Sequence, residues 1–123
     1  MARRSLIPAL TDIVEVSERL RAKLAGVPLD VFEKDWEARW VVERGIEIVS
    51  EASRRLTAEM KARHPDIPWQ KVAGIGNILR HDYDSVAAPV LWTLIQRDIA
   101  PLEEACRVEL AAEQARERKR QGP

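Results

Sequence analysis

The chain has 123 residues, one domain's worth of sequence: long enough to bury a core and too short for two. Hydrophobic residues make up 46% and charged residues 33%, a globular rather than disordered balance, and 20 Lys plus Arg against 20 Asp plus Glu exclude a nucleic-acid binder that works by bulk positive charge. The lone cysteine, Cys106, excludes an internal disulfide framework, and with two histidines it leaves little for a metal site of imidazole and thiolate, so neither metal nor cofactor is expected.

No stretch approaches the roughly 20 apolar residues of a membrane span. The apolar run at Leu6–Leu10 is shorter than the roughly 7–15 residues at the centre of a signal peptide. A cytoplasmic chain with no membrane contact is the expectation.

In chain order, helical spacing dominates and strand-like alternation is nearly absent. Leu6, Leu10, Ile13, Ser17, Leu20 and Leu24 fall on one helical face, and Gly26 with Pro28 stops that segment. Asp30 with Glu33 three residues later reads as a capping box. The stripe Val42, Ile46, Val49, Ser53, Leu56 and Met60 then continues without proline up to His64-Pro65, so the spacing predicts one helix of about 30 residues and roughly 45–50 Å. Trp36 and Trp40 extend the same side, as core or dimer-seam residues. A shorter helix follows Pro68 through Trp69, Val72, Ile75 and Leu79, with Gly74 and Gly76 inside it. Two interior glycines point to close approach by a neighbouring helix or a ligand, or to a frayed end. The last stripe is Trp92, Ile95, Ile99, Leu102, Cys106 and Leu110, with Pro89 in the first turn and Pro101 kinking the helix or starting another. The whole is an all-α, antiparallel bundle of four or five helices over residues 1–115. A charged tail at 116–123 is expected to fray.

Chemistry concentrates in Arg80-His81-Asp82-Tyr83, which gathers a guanidinium, an imidazole, a carboxylate and a phenol within four residues. Imidazole exchanges a proton near neutrality, and guanidinium matches phosphate oxygens. Together they suit phosphodiester chemistry without a metal, although such runs are also ordinary helix-end residues. Residues two apart point to opposite sides of a helix, so if His81 and Tyr83 serve one cleft the helix ends near His81. Elsewhere, Cys106 reads as a small buried apolar residue, His64 as a solvated helix end, and Arg54-Arg55 as a solvated face or, if a dimer sets it beside His81, a phosphate contact.

Pro65-Asp66-Ile67-Pro68-Trp69, then Gly74-Ile75-Gly76-Asn77-Ile78-Leu79-Arg80-His81-Asp82-Tyr83, then Val90-Leu91-Trp92, resembles the HepT-like branch of the HEPN superfamily. Upstream, Ile48 to Leu56 is similar to that family's Gly-Glu-Ala segment, and Ile99-Ala100-Pro101-Leu102 to its last-helix Leu-Pro-x-Leu. The resemblance implies a HEPN-like bundle forming a two-fold homodimer. It also implies a metal-independent ribonuclease toxin acting on RNA, with tRNA among the candidate substrates, in a type VII-like toxin–antitoxin pair with a minimal nucleotidyltransferase antitoxin. The family motif is Arg, four residues, His, one residue, Tyr. By implication His81 is the catalytic acid/base and Tyr83 the hydroxyl that the partner modifies with AMP, with Asn77 and Asp82 in support. The family arginine falls at Gly76, which has no side chain; Arg80 lies one turn further on the same face. Two readings stay open: Arg80 takes over the phosphate, or the chain is a catalytically silent partner or scaffold for a nucleotidyltransferase.

Overall fold

The structure is a computed structural model and describes residues 4–81 and 86–122. Seven α-helices run through the described residues: α1 (Ile7–Leu24), α2 (Leu29–Lys34), α3 (Trp36–Ser53), α4 (Ala58–Ala62), α5 (Trp69–His81), α6 (Ala88–Thr93) and α7 (Ile99–Gln121), with a π-helical turn at Leu94–Asp98 between the last two. None of the described helices is long and apolar enough to cross a membrane.

The first segment folds as its spacing predicts. Leu10, Ile13, Ser17, Leu20 and Leu24 of α1 are all buried. The second does not form a single helix. Asp35 leaves the helical region and its Oδ1 accepts the Ala38 N–H at 3.0 Å, so an aspartate cap starts a new helix there. Asp30 caps nothing; it sits inside the first turn of α2. The second break follows Ser53, where Thr57 caps α4 by accepting the Met60 N–H at 3.1 Å. The apolar stripe is nevertheless correct, since Val42, Ile46, Val49, Ser53, Leu56 and Met60 are all buried. At 18 residues α3 is about 27 Å long, so the single helix of roughly 45–50 Å expected from the spacing is absent.

α1 lies between α3 and α7, and α5 packs on the far side of α3. Neighbours are antiparallel. Arg55 beyond α3 reaches Asp12 near the start of α1, while Leu20 near its end meets Gly45. Arg21 and Glu18 on the last turns of α1 bind Glu103 and Arg107 on the first turns of α7. One core cluster gathers Leu10, Ile13, Val49, Met60, Leu102 and Cys106; the other gathers Leu24, Phe32, Val42, Leu79, Leu91 and Ile95. Buried apolar contact of this kind is the main stabilising term.

Pro89 sits in the first turn of α6. Pro101 is accommodated by the π turn. There the Ile99 N–H bonds back five residues to Leu94 O, and α7 starts afresh two residues before the proline, which therefore falls in its first turn. α7 is helical to Gln121, through the residues expected to fray, and Arg116 pairs with Glu113 at 2.7 Å on the way.

Candidate functional site

The start of α5 is anchored by Trp69, whose indole N–H donates to both Lys61 O and His64 O at 3.1 Å. Its middle is locked to α3. The Ser50 hydroxyl donates to Ala73 O at 2.8 Å and accepts the Gly76 N–H at 3.1 Å. Arg54 adds two N–H donors to the same Ala73 carbonyl, at 2.8 and 3.2 Å. Gly76 is a helix–helix contact: a Cβ there would lie 2.5 Å from Ser50 Oγ and 2.6 Å from Ser50 Cβ. Gly74 meets nothing, so only one of the two interior glycines marks a close approach.

That contact decides what Arg80 can do. The volume at position 76 is not vacant, because Ser50 fills it. Arg80 instead lies one turn on, with Nε 4.0 Å from Glu47 Oε1 and Nη2 3.9 Å from Glu51 Oε2. These separations exceed the 2.7–3.2 Å of a hydrogen bond, so the guanidinium is held by charge alone. Its side chain is half exposed and open to a second anion. Asn77, Arg80 and His81 are all exposed on α5, at helical spacings of three and four that place them on one face. Their position in the last turns also sets two basic side chains at the negative end of the helix dipole. α5 is described as far as His81, so the expectation that the helix ends there turns on residues outside the described ones. Asp82 and Tyr83 lie outside the described residues.

Glu47 and Glu51 are the site neighbours that sequence reasoning missed. Their one signal was a spacing of four on a helix antiparallel to α5, which needs the register 47–80, 50–76, 54–73 to be read.

Arg54 is occupied by Ala73, and Arg55 pairs with Asp12 at 3.4 Å. His64 is no solvated helix end: its Nε2 lies 2.8 Å from Glu109 Oε2, and Arg63 holds the other oxygen at 2.7 Å. The Arg63 hydrogen bond keeps the Glu109 carboxyl below the usual range, against the burial that pushes it up. Arg21 does the same for Glu103. Cys106 is fully buried and its thiol is pushed up to about 12 by that burial, so it is no nucleophile. Trp36 and Trp40 are not core residues. They are 60% and 62% exposed, with ring centroids 4.9 Å apart edge to face, because each stands two residues before a buried position of the same helix, Ala38 and Val42, and so points the opposite way.

The larger cavity, about 450 Å³, opens between α3, α5 and the start of α7 and is lined by Val49, Val72, Ile75, Leu94, Ile99 and Leu102 with Lys71 and Asp98. Neither Arg80 nor His81 lines it. Among the described residues the candidate site is therefore an exposed helix face rather than the lining of that cavity.

Comparison with known proteins points the same way. A family model described as ribonuclease HepT-like matches residues 13–109. A protein of Thermococcus cleftensis named "Probable ribonuclease HepT" is 33% identical over 101 residues, 82% of this chain and 92% of that protein. One from Caldanaerobacter subterraneus, named "Putative RNase", is 31% identical over 96 residues, 78% of this chain and 86% of that protein. A "Putative RNase" of Methanocaldococcus jannaschii is 27% identical over 103 residues, 84% of this chain and 94% of that protein. No solved structure matches.

Proposed function

The chain belongs to the HepT-like ribonuclease family, and on that premise we propose that it is a metal-independent endoribonuclease, the toxin of a type VII-like toxin–antitoxin pair in the cytoplasm. The observation that carries the reading is the exposed face of α5, where His81 and Arg80 stand together.

His81 acts as the acid/base, taking the proton of a ribose 2′-hydroxyl or giving one to the leaving 5′-oxygen. Arg80 neutralises the phosphate under attack, a charge-assisted contact that strengthens as negative charge develops. Asn77 supports from the same face, with Asp82 as the second supporting residue. RNA, tRNA included, is the substrate class, and the working particle is a homodimer. Tyr83 is the point of control. A minimal nucleotidyltransferase antitoxin transfers AMP to its hydroxyl, and the added phosphate charge repels the substrate's phosphates two residues from His81.

A second reading is favoured by one observation. Ser50 closes the position of the family arginine, and Arg80 faces two carboxylates. In this reading the chain is a catalytically silent partner or scaffold that binds the nucleotidyltransferase and presents Tyr83 without cutting RNA.

The test combines cleavage with mass. Wild type, Arg80→Ala and His81→Ala are incubated with a tRNA pool before and after treatment with ATP and the partner nucleotidyltransferase. The toxin reading expects cleavage by wild type alone, lost when the Tyr83 peptide gains AMP. Mass gained on Tyr83 by a protein that never cut RNA supports the scaffold. No gain on Tyr83 refutes the proposed control.

A further inference from the structure

α7 changes sign along its length. Residues 99–115 hold four acidic side chains and one basic, whereas 116–121 hold four basic and one acidic, in a chain of zero net charge. Of those four, Arg116 pairs with Glu113, and Arg120 stands 3.6 Å from Glu117. Arg118 and Lys119 are exposed and have no ion-pair partner among the described residues. Basic side chains at a helix C-terminus offset the helix dipole, so α7 has a local reason to carry them. α1 has the opposite preference at its start. Its first turn holds no acidic residue, and Arg4, exposed and without an ion-pair partner among the described residues, lies just before it.

These two helix ends come together. α1 and α7 pack antiparallel, with Arg21 bound to Glu103 and Glu18 to Arg107. That register, continued along the two helices, brings Arg4 level with the last turn of α7. Arg4, Arg118, Lys119 and Arg120 therefore form one basic rim at this end of the bundle. The candidate site lies elsewhere. The contacts of Arg80 with Glu47 and of Gly45 with Leu20 set Arg80 level with Glu18 of α1, about fourteen residues or about 20 Å along the bundle from Arg4.

We infer that this rim is a second contact for RNA, neutralising backbone phosphates of a strand whose reacting ribose lies at His81. The inference rests on the ribonuclease reading and adds to it a surface remote from the chemistry. A chain of zero net charge holds a polyanion only through local clusters of this kind. Guanidinium and ammonium groups from two segments suit a row of phosphates. Arg116–Gln121 carries no apolar side chain, so a lipid surface would gain no burial there. At about 3.4 Å per stacked nucleotide, a strand of about six nucleotides is the shortest that reaches both places.

Equilibrium binding of RNAs of about 20 and about 4 nucleotides across a salt titration tests the rim, with circular dichroism confirming that each variant is folded. Arg118→Gln/Lys119→Gln removes two exposed charges of the rim. Lys23→Gln/Lys34→Gln removes two exposed charges near the other end of α1 and on α2, as the control. The rim variant is expected to bind the long RNA at least about tenfold more weakly than wild type near 0.1 M salt, and to lower the slope of log affinity against log salt by about 1.4, at about 0.7 per lost contact. Adding Arg4→Gln lowers it by about 0.7 more. The control keeps the wild-type slope, and the short RNA binds wild type and the rim variant alike. Cleavage of the long RNA shows the same loss as a rise in KM with kcat unchanged. A wild-type protein that neither binds nor cuts RNA overturns the ribonuclease reading and the rim with it. A wild type that binds or cuts RNA, beside a rim variant with an unchanged slope or a control that loses as much, overturns the rim alone. Loss of binding to phosphatidylserine vesicles with an unchanged RNA slope assigns the rim to lipid and overturns it as an RNA contact.

Discussion

Replacing Gly76 by alanine places a methyl group 2.5 Å from Ser50 Oγ and 2.6 Å from Ser50 Cβ, against 3.4–4 Å for an ordinary contact. Both atoms belong to the short, rigid root of a side chain, so no flexible end can swing away and the helices must part. Overpacking of this kind costs about 1–3 kcal/mol. Parting also weakens the two Ser50 hydrogen bonds to α5, about 1 kcal/mol each. The gain from removing a glycine inside a helix, about 1 kcal/mol, opposes this. The expected net loss is about 2–3 kcal/mol by urea unfolding. The sharper test is the partner residue. Ser50→Ala keeps the offending Cβ and is expected to give no rescue, whereas Ser50→Gly removes both atoms. Ser50→Gly alone loses two hydrogen bonds and adds a helix glycine, again about 2–3 kcal/mol. If the contact is as described, Ser50→Gly/Gly76→Ala costs about as much as either single change, a coupling of about 2 kcal/mol. Losses that add to within about 0.5 kcal/mol would refute the reasoning and reopen position 76 to a long side chain.

Further outcomes follow from the core and the site. Ser17 is buried and its hydroxyl has no partner among the described residues, so Ser17→Ala is expected to stabilise by about 1 kcal/mol, raising the thermal midpoint by about 3–5 °C. Glu103 and Glu109 are held below the ordinary glutamate value of 4.5, chiefly by hydrogen bonds from Arg21 and Arg63. Below that value the unfolded chain binds more protons than the folded one, so their stabilisation is full above about pH 5 and is lost as pH falls through the lowered folded values. Thermal midpoints measured from pH 7 to pH 2 should show an acid limb that Glu103→Gln/Glu109→Gln makes shallower, and an unchanged slope would contradict the assignment. Glu47→Gln and Glu51→Gln release Arg80 from exposed pairs worth about 0–1 kcal/mol each, so RNA binding is expected to tighten up to about fivefold per change. In an Arg80→Ala background the same changes should do little beyond removing charge.

Much of the fold was legible because burial leaves a period in the sequence. The stripes on α1 and from Val42 to Met60 name side chains that are buried. Periodicity reports which side faces the core, not whether the backbone between is continuous, and so the break at Asp35 was hidden. A single side-chain oxygen satisfying the Ala38 N–H outweighs a helical continuation that propensity alone leaves open. The tryptophans were misplaced because each stands two residues before a buried position of the same helix, Ala38 and Val42, and residues two apart point to opposite sides. At the site, the sequence carried Asn77, Arg80 and His81 as neighbours on one helix, a local relation. It could not carry the cross-helix register that sets Ser50 against Gly76 and Glu47 and Glu51 against Arg80. That register is fixed by packing of α3 on α5, which no single segment records. The buried carboxylates Glu103 and Glu109 were invisible likewise, because each lies on an apolar face and is paid for by arginines from helices distant in the chain.

The most direct measurement follows a short RNA through cleavage in EDTA, with the scissile ribose either intact or 2′-deoxy. If His81 activates the 2′-hydroxyl without a metal, wild type cuts the intact strand to a 2′,3′-cyclic phosphate and a 5′-hydroxyl, leaves the 2′-deoxy strand whole, and loses the reaction in His81→Ala. Cleavage of the 2′-deoxy strand, dependence on a divalent ion, or equal rates for wild type and His81→Ala would contradict the account.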